Sequence, residues 1–316
     1  MTKQVRGTAL ASKAGFLLEV EAMASEDVCG PGRNPAFPLP QFVTRVRGVR
    51  TGYSDAGQGP VVLFLHGLAA NLTYWGHVAP HFIDNHRVIC LDLPGHGASG
   101  RPAEGCTIRG YVNHVKALLD GLCLDRVTVI GHSMGGMVAA AMGLHMPERV
   151  ERLVLVNPAG LHPMPRPIRV LGPMVLRERV LNPLLPRVWR LILRNVFYQD
   201  NQYTRDFIRI VEETYPVESV REISYLMQSL CPDLLGRSYG SVLHDLERPV
   251  WLIWGQRDRL VPARMIRQAA QRLPHVTAEE VPNCGHMPII EQPERVTAFL
   301  RRALGNPSAA VLGQSA

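Results

Sequence analysis

Apolar residues follow two rhythms along this chain of 316 residues. Short runs that are apolar at nearly every position, 61–65, 87–91, 126–130, 150–156 and 250–254, predict strands covered on both faces, because a strand with one wet face would alternate instead. Between them lie segments with apolar residues three and four apart: Ile108, Tyr111, Val112, Val115, Leu118, Leu119 and Leu122, then Ile266, Ala269, Ala270 and Leu273, then Val296, Phe299, Leu300, Ala303 and Leu304. Each set makes one stripe on a helix. Further helices are predicted over 73–82 and 134–145, two strands turning at Gly48 over 41–55, and a last strand over 276–281. Strands alternating with helices predict an α/β fold, a mainly parallel sheet with helices on both faces.

The alternation stops between 159 and 246. Pro163, Pro165, Pro167, Pro173, Pro183 and Pro186 punctuate the first half, and 205–214 and 220–230 read as helices. A mostly helical cap over 159–246 is therefore expected, inserted between core segments 41–158 and 247–304. Residues 1–40 form an N-terminal extension with a glycine- and proline-rich run and no assignable function. Residues 305–316 are expected to be a disordered tail.

The strand at 126–130 runs into Gly131-His132-Ser133-Met134-Gly135, and the helix begins at once. A serine at such a junction is exposed at the end of the sheet, and the helix N-terminus behind it favours developing negative charge. Glycines on both sides free the sharp bend from Cβ clashes. This G-x-S-x-G between strand and helix resembles the nucleophile elbow of the α/β-hydrolase superfamily, in its serine, cap-bearing, esterase- and lipase-like branch. The likeness extends over roughly residues 60–304.

The resemblance implies a fold and a set of roles. Ser133 is the nucleophile. Asp258, on the loop after 250–254, is the acid that fixes the imidazole tautomer, and His286, in Asn283-Cys284-Gly285-His286-Met287-Pro288, is the base. The chain order Ser, Asp, His fits the family. Asn157 follows strand 150–156, where some hydrolases carry their acid, but an amide supplies no negative charge. The oxyanion loop is His66-Gly67-Leu68-Ala69-Ala70-Asn71, with the amides of Leu68 and Met134 as donors. His66 then shapes the loop, and the Asp92-Leu93-Pro94-Gly95-His96-Gly97-Ala98-Ser99 turn is architectural. His132 and Trp189 are candidates for substrate contact.

Composition narrows the setting. Hydrophobic content of 46% with 19% charged residues is globular, and no apolar run approaches a membrane span. Lys13 and Glu19 interrupt any signal-peptide core behind Lys3 and Arg6, so a cytoplasmic location is the default expectation. Six cysteines without a C-x-x-C pair read as reduced structural thiols, and Cys284, though near His286, stands on no elbow. His77 and His81 lie four apart but lack further ligands in register, so neither metal nor cofactor is expected.

The net charge of +7 is unevenly placed. Between 161 and 200, seven arginines (166, 169, 177, 179, 187, 190, 194) face only Glu178 and Asp200, a surplus of five. Without the aromatic and glycine pattern of an RNA-binding sheet, nucleic acid is not an expected partner. Leu181, Leu184, Leu185, Trp189, Leu191, Ile192 and Phe197 among those arginines fit either a cap packed on its own domain or peripheral contact with anionic lipid.

The expected activity is hydrolysis of a small apolar carboxylic ester through an acyl-enzyme. Carbon–carbon hydrolysis of ring-cleavage products is the alternative. Enzymes of that kind usually have a glycine- and proline-rich oxyanion loop and Trp after the catalytic His, where this chain has Leu68-Ala69-Ala70 and Met287. Acyl transfer to another acceptor, and a non-enzymatic ligand receptor on the same fold, also remain open.

Overall fold

A computed structural model describes residues 21–22, 37–162, 164–214, 219–244, 248–273 and 275–305. Most of the N-terminal extension, and the tail from 306 onward, lie outside the described residues. In chain order the strands and α-helices are β1 (Glu21–Ala22), β2 (Gln41–Val46), β3 (Val49–Ala56), β4 (Val61–Leu65), β5 (Arg87–Leu91), α1 (Ile108–Gly121), β6 (Val127–His132), α2 (Met134–His145) and β7 (Val150–Val156). Five helices follow: α3 (Arg166–Val175), α4 (Glu178–Asn195), α5 (Gln202–Thr214), α6 (Ser219–Gly236) and α7 (Gly240–His244). The chain closes with β8 (Val250–Gly255), α8 (Ala263–Ala270), β9 (Val276–Val281), α9 (Pro288–Glu291) and α10 (Pro293–Leu304).

The strands form one sheet in the order β1-β2-β3-β5-β4-β6-β7-β8-β9. Pairing is antiparallel from β1 through β3 to β5, and parallel from β5 to β9. Arg47 and Gly48, both at positive φ, make the two-residue turn between β2 and β3. The continuous apolar runs have the predicted cause. Leu63, Leu65, Val129, Leu153 and Leu155 point into a core shared with α1, α2 and α8. Their neighbours Val62, Phe64, Ile130, Val154 and Val156 point into a second core with Trp75, Phe82, Phe299 and Leu300. Successive side chains point to opposite faces, so every position of a doubly covered strand is buried.

One expectation changes. The helix predicted over 73–82 is instead two 3-10 turns, Leu72–Trp75 and Ala79–Phe82. Asn71 caps the first through Thr73 N, Gly76 ends it, and Pro80 at the start of the second has no N–H to continue an α-helix. The proline-punctuated stretch is helical, within the mostly helical cap expected over 159–246. Pro167 opens α3, while Pro173 lies inside α3 and Pro183 and Pro186 inside α4. Burial of Leu181 and Leu185 against Ile223 of α6 favours α4 despite the backbone bonds its prolines remove. The apolar side chains Leu181, Leu185, Val188 and Ile192 thus turn inward, and the stretch expected to meet lipid is largely occupied by its own domain.

Candidate active site

The end of β6 is set between β4 and β7, with Leu65 beside Gly131 and His132 beside Val156. Two contacts explain the glycines of the bend. A Cβ at Gly131 would lie 2.2 Å from Gly135 O, and one at Gly135 would lie 2.3 Å from Leu65 O. Ser133 sits at φ 52°, ψ −115°. Such a backbone costs on the order of 1–3 kcal/mol and persists only where its surroundings over-determine it. Here Ser133 N donates to Val156 O at 3.0 Å, while Ser133 O accepts from Met137 N at 3.2 Å and Ala159 N at 3.0 Å. The hydroxyl is left half-buried at the end of the sheet.

Ser133, Asp258 and His286, 153 and 28 residues apart along the chain, come together. His286 Nε2 lies 3.0 Å from Ser133 Oγ, and its Nδ1 lies 2.7 Å from Asp258 Oδ2. The carboxylate accepts Nδ1–H, which leaves Nε2 free to take the hydroxyl proton. Asp258 Oδ1 accepts the amides of Leu260 at 2.8 Å and Val261 at 3.0 Å. Burial by itself raises the Asp258 carboxyl, but the His286 charge and hydrogen bond, with those from Asn157 and Val261 N, outweigh it and hold the group below its ordinary range.

Asn157 belongs to the site even though it supplies no charge. Held at φ 42° at the end of β7, it donates Nδ2–H to Asp258 Oδ2 at 2.7 Å and to Gly285 O at 3.3 Å. Its Oδ1 accepts Gly255 N at 3.3 Å. One side chain therefore ties together the ends of β7 and β8 and the His286 loop. Glu291 was also not singled out from sequence. Its buried carboxylate accepts Gly285 N at 2.8 Å through one oxygen, and Tyr198 N at 2.9 Å and Gln199 N at 3.0 Å through the other. With His286 N donating to Val196 O at 2.8 Å, the segment after α4 is fastened to the His286 loop.

The loop predicted to carry oxyanion donors lies beside the serine: a Cβ at Gly67 would be 3.2 Å from Ser133 Cβ. The Met134 amide is the first of α2, among those a helix leaves without an intrahelical partner. Leu68 is partly exposed on the loop. His66 is fully buried, donating Nδ1–H to Gly67 O at 2.7 Å and accepting Leu93 N on Nε2 at 3.0 Å. Burial lowers its pKa to about 4, so it is a neutral brace. In the 92–99 turn, Asp92 accepts Leu72 N and Ala98 N, each at 2.7 Å, an architectural arrangement.

His132, the candidate for substrate contact beside the serine, is 2% exposed. Its Nε2–H donates to His286 O at 2.9 Å, and Nδ1 has no hydrogen-bond partner among the described residues. Burial, then the nearby His286 charge, lowers its pKa to about 3. As the last residue of β6, it packs beside Gly67 and against the His286 ring, with centroids 5.0 Å apart, and its bond to His286 O supports that loop. Trp189 falls on α4, but its side chain lies outside the described residues. Cys284 is buried, and burial followed by the Glu291 charge raises its thiol, which disfavours a thiolate. Among the described residues no group of three potential ligands is placed to hold a metal ion.

A partly buried Ala69 on the oxyanion loop packs against the cluster of Leu181, Leu185 and Ile223, with Val188, Ile192 and Met227. An apolar wall from α4 and α6 therefore reaches the loop beside Ser133. The arrangement sets a hydroxyl beside an imidazole, a buried carboxylate behind that ring, and an apolar surface alongside.

Known proteins resemble this chain in sequence and in fold. The chain is 28% identical to the dihydrolipoyllysine-residue acetyltransferase component of the acetoin cleaving system of Cupriavidus necator, over 87% of this chain and 71% of that one. It is 26% identical to 2-hydroxymuconate semialdehyde hydrolase of Pseudomonas sp. strain CF600, over 84% of this chain and 94% of that one. In structure it is similar to a bacterial membrane phospholipase A described as a virulence factor, with TM-score 0.71 and 25% identity over 85% of this chain and 87% of that one. The family model described as alpha/beta hydrolase fold matches residues 60–293, and the chain belongs to that family.

Proposed function

We propose that the protein is a serine hydrolase that cleaves carboxylic esters with an apolar acyl part. The observation that carries this reading is the line from Ser133 Oγ through His286 to Asp258, at 3.0 and 2.7 Å. His286 Nε2 takes the hydroxyl proton as Ser133 Oγ bonds to the carbonyl carbon. The carbonyl electrons move to oxygen, where the amides of Leu68 and Met134 receive the negative charge. As the tetrahedral species collapses, the C–O bond breaks and His286 returns the proton to the leaving alkoxide. Water, deprotonated by His286, then attacks the acyl-Ser133, releasing the acid and restoring the hydroxyl. The inward face of α4 and its contact with Ala69 support an apolar acyl group, as does likeness to a phospholipase.

Carbon–carbon hydrolysis is the second reading, favoured by the coverage of nearly the full length of 2-hydroxymuconate semialdehyde hydrolase. Leu68-Ala69-Ala70 and Met287 argue against it. Rates of the purified protein on p-nitrophenyl acetate, butyrate and octanoate, beside a dienol ring-cleavage substrate, test the choice. The ester reading expects turnover that rises from acetate to the longer acyl groups. Turnover of the dienol alone, lost in Ser133→Ala, replaces it with the second reading.

A further inference from the structure

Half of the exposed large apolar side chains among the described residues sit on the ten-residue helix α3: Ile168, Val170, Leu171, Met174 and Val175. None of its residues is buried. At about 100° per residue these five and Pro167 fall within one arc of roughly 160°. Gly172 lies outside the arc and faces the cap: a Cβ there would be 2.3 Å from Leu235 Cδ1 of α6. The helix thus rests on α6 by its glycine edge and presents its apolar side outward.

Charge decides what that side fits. Arg166 borders the arc, Arg177 and Arg179 follow it, and all three are exposed; Arg169 lies on the opposite side of the helix. No acidic residue occurs between Leu161 and Arg177. A second copy meeting this face by two-fold symmetry would set arginine against arginine. A planar surface that is apolar beneath and negative at its rim complements both features.

We infer that α3 is an interfacial anchor that seats the cap on an anionic lipid bilayer, with the Ile168, Leu171 and Met174 side among the acyl chains and the arginines among the headgroup phosphates. No helix among the described residues is long and apolar enough to cross a membrane, which leaves a contact parallel to the surface. The inference is independent of the chemistry at Ser133.

The test is co-sedimentation of the full Ser133→Ala chain with phosphatidylcholine–phosphatidylglycerol vesicles at low salt. Ser133→Ala prevents turnover of the lipid, so binding is read apart from hydrolysis. The expected result is binding that falls on the order of tenfold when phosphatidylglycerol is omitted or salt is raised. Adding Leu171→Glu and Met174→Glu should abolish it with unchanged Tm, and Arg166→Gln with Arg177→Gln should weaken it and flatten the salt dependence. Protein left in the supernatant with anionic vesicles at low salt overturns the inference. So does binding that survives Leu171→Glu and Met174→Glu, or a dimer in solution that those substitutions dissociate.

Discussion

Asn157 Nδ2 and His286 Nδ1 reach the same carboxylate oxygen, Asp258 Oδ2, each at 2.7 Å. The acid is therefore aimed by an amide from β7 as well as by the backbone of its own loop, and the His286 loop is held to that amide through Gly285 O.

Asn157→Ala should lower kcat by about tenfold, since a hydrogen bond to a charged group contributes about 1.5–3 kcal/mol and part of the aim survives through Leu260 N and Val261 N. KM should change little, because Asn157 is fully buried. Steady-state kinetics on a water-soluble ester check this, with the circular dichroism spectrum confirming the fold. A KM effect with unchanged kcat would show that Asn157 does not act through Asp258.

Glu291→Gln replaces one acceptor oxygen with a donor facing a backbone N–H. Gly285 N, or the Tyr198 and Gln199 amides, would lose a partner, at about 1–3 kcal/mol for a buried donor left unsatisfied. Tm should fall, and kcat should fall with it, because the same carboxylate fixes the turn before His286. Urea unfolding together with kinetics below the transition checks the pairing of the two losses.

Acid should destabilise the fold through buried neutral histidines. Burial lowers the pKa of His66 to about 4 and those of His96 and His132 to about 3, from an ordinary 6.5. Between those values the unfolded chain binds protons that the folded chain does not, so stability falls as pH drops below about 6.5. Each group contributes a loss on the order of 2 kcal/mol by pH 5. Asp258, held low in the fold, adds a loss only further down, as pH falls through the carboxylate range. Denaturant titrations at pH 7, 6 and 5 should show this decline, with a smaller slope in His96→Asn.

Much of this was legible in the chain because it depends on neighbours in sequence. The runs at 61–65 and 150–156 had to be doubly covered strands, and the bend at Ser133 needs glycines at 131 and 135 for contacts that strand and helix alone create. The role of Asn157, and Glu291 altogether, could not be read from the chain because their work is tertiary. Asn157 serves a carboxylate 101 residues away, and Glu291 bonds amides 92 and 93 residues before it. The bond from His132 to His286 O likewise joins residues 154 apart and could not be read from the chain. The mostly helical cap was legible, but not which of its apolar side chains α6 would cover: Leu181 and Leu185 are buried, while Leu171 and Met174 stay exposed.

Asp258→Asn should retain the fold and lower kcat by about 10⁴, since an amide in place of the carboxylate stabilises the wrong imidazole tautomer. Steady-state kinetics on p-nitrophenyl butyrate, with the circular dichroism spectrum as the check on the fold, read this loss. A kcat within tenfold of the unaltered protein would count against Asp258 as the acid behind His286.

Labelling with an alkyl fluorophosphonate, read by intact mass and peptide mapping, tests the central claim most directly. Attack by an activated serine should give one adduct per chain on the peptide containing Ser133, none in Ser133→Ala, and strongly slowed labelling in Asp258→Asn. Stoichiometric modification of another residue with Ser133 unmodified, or equal labelling of Ser133→Ala, would contradict the assignment.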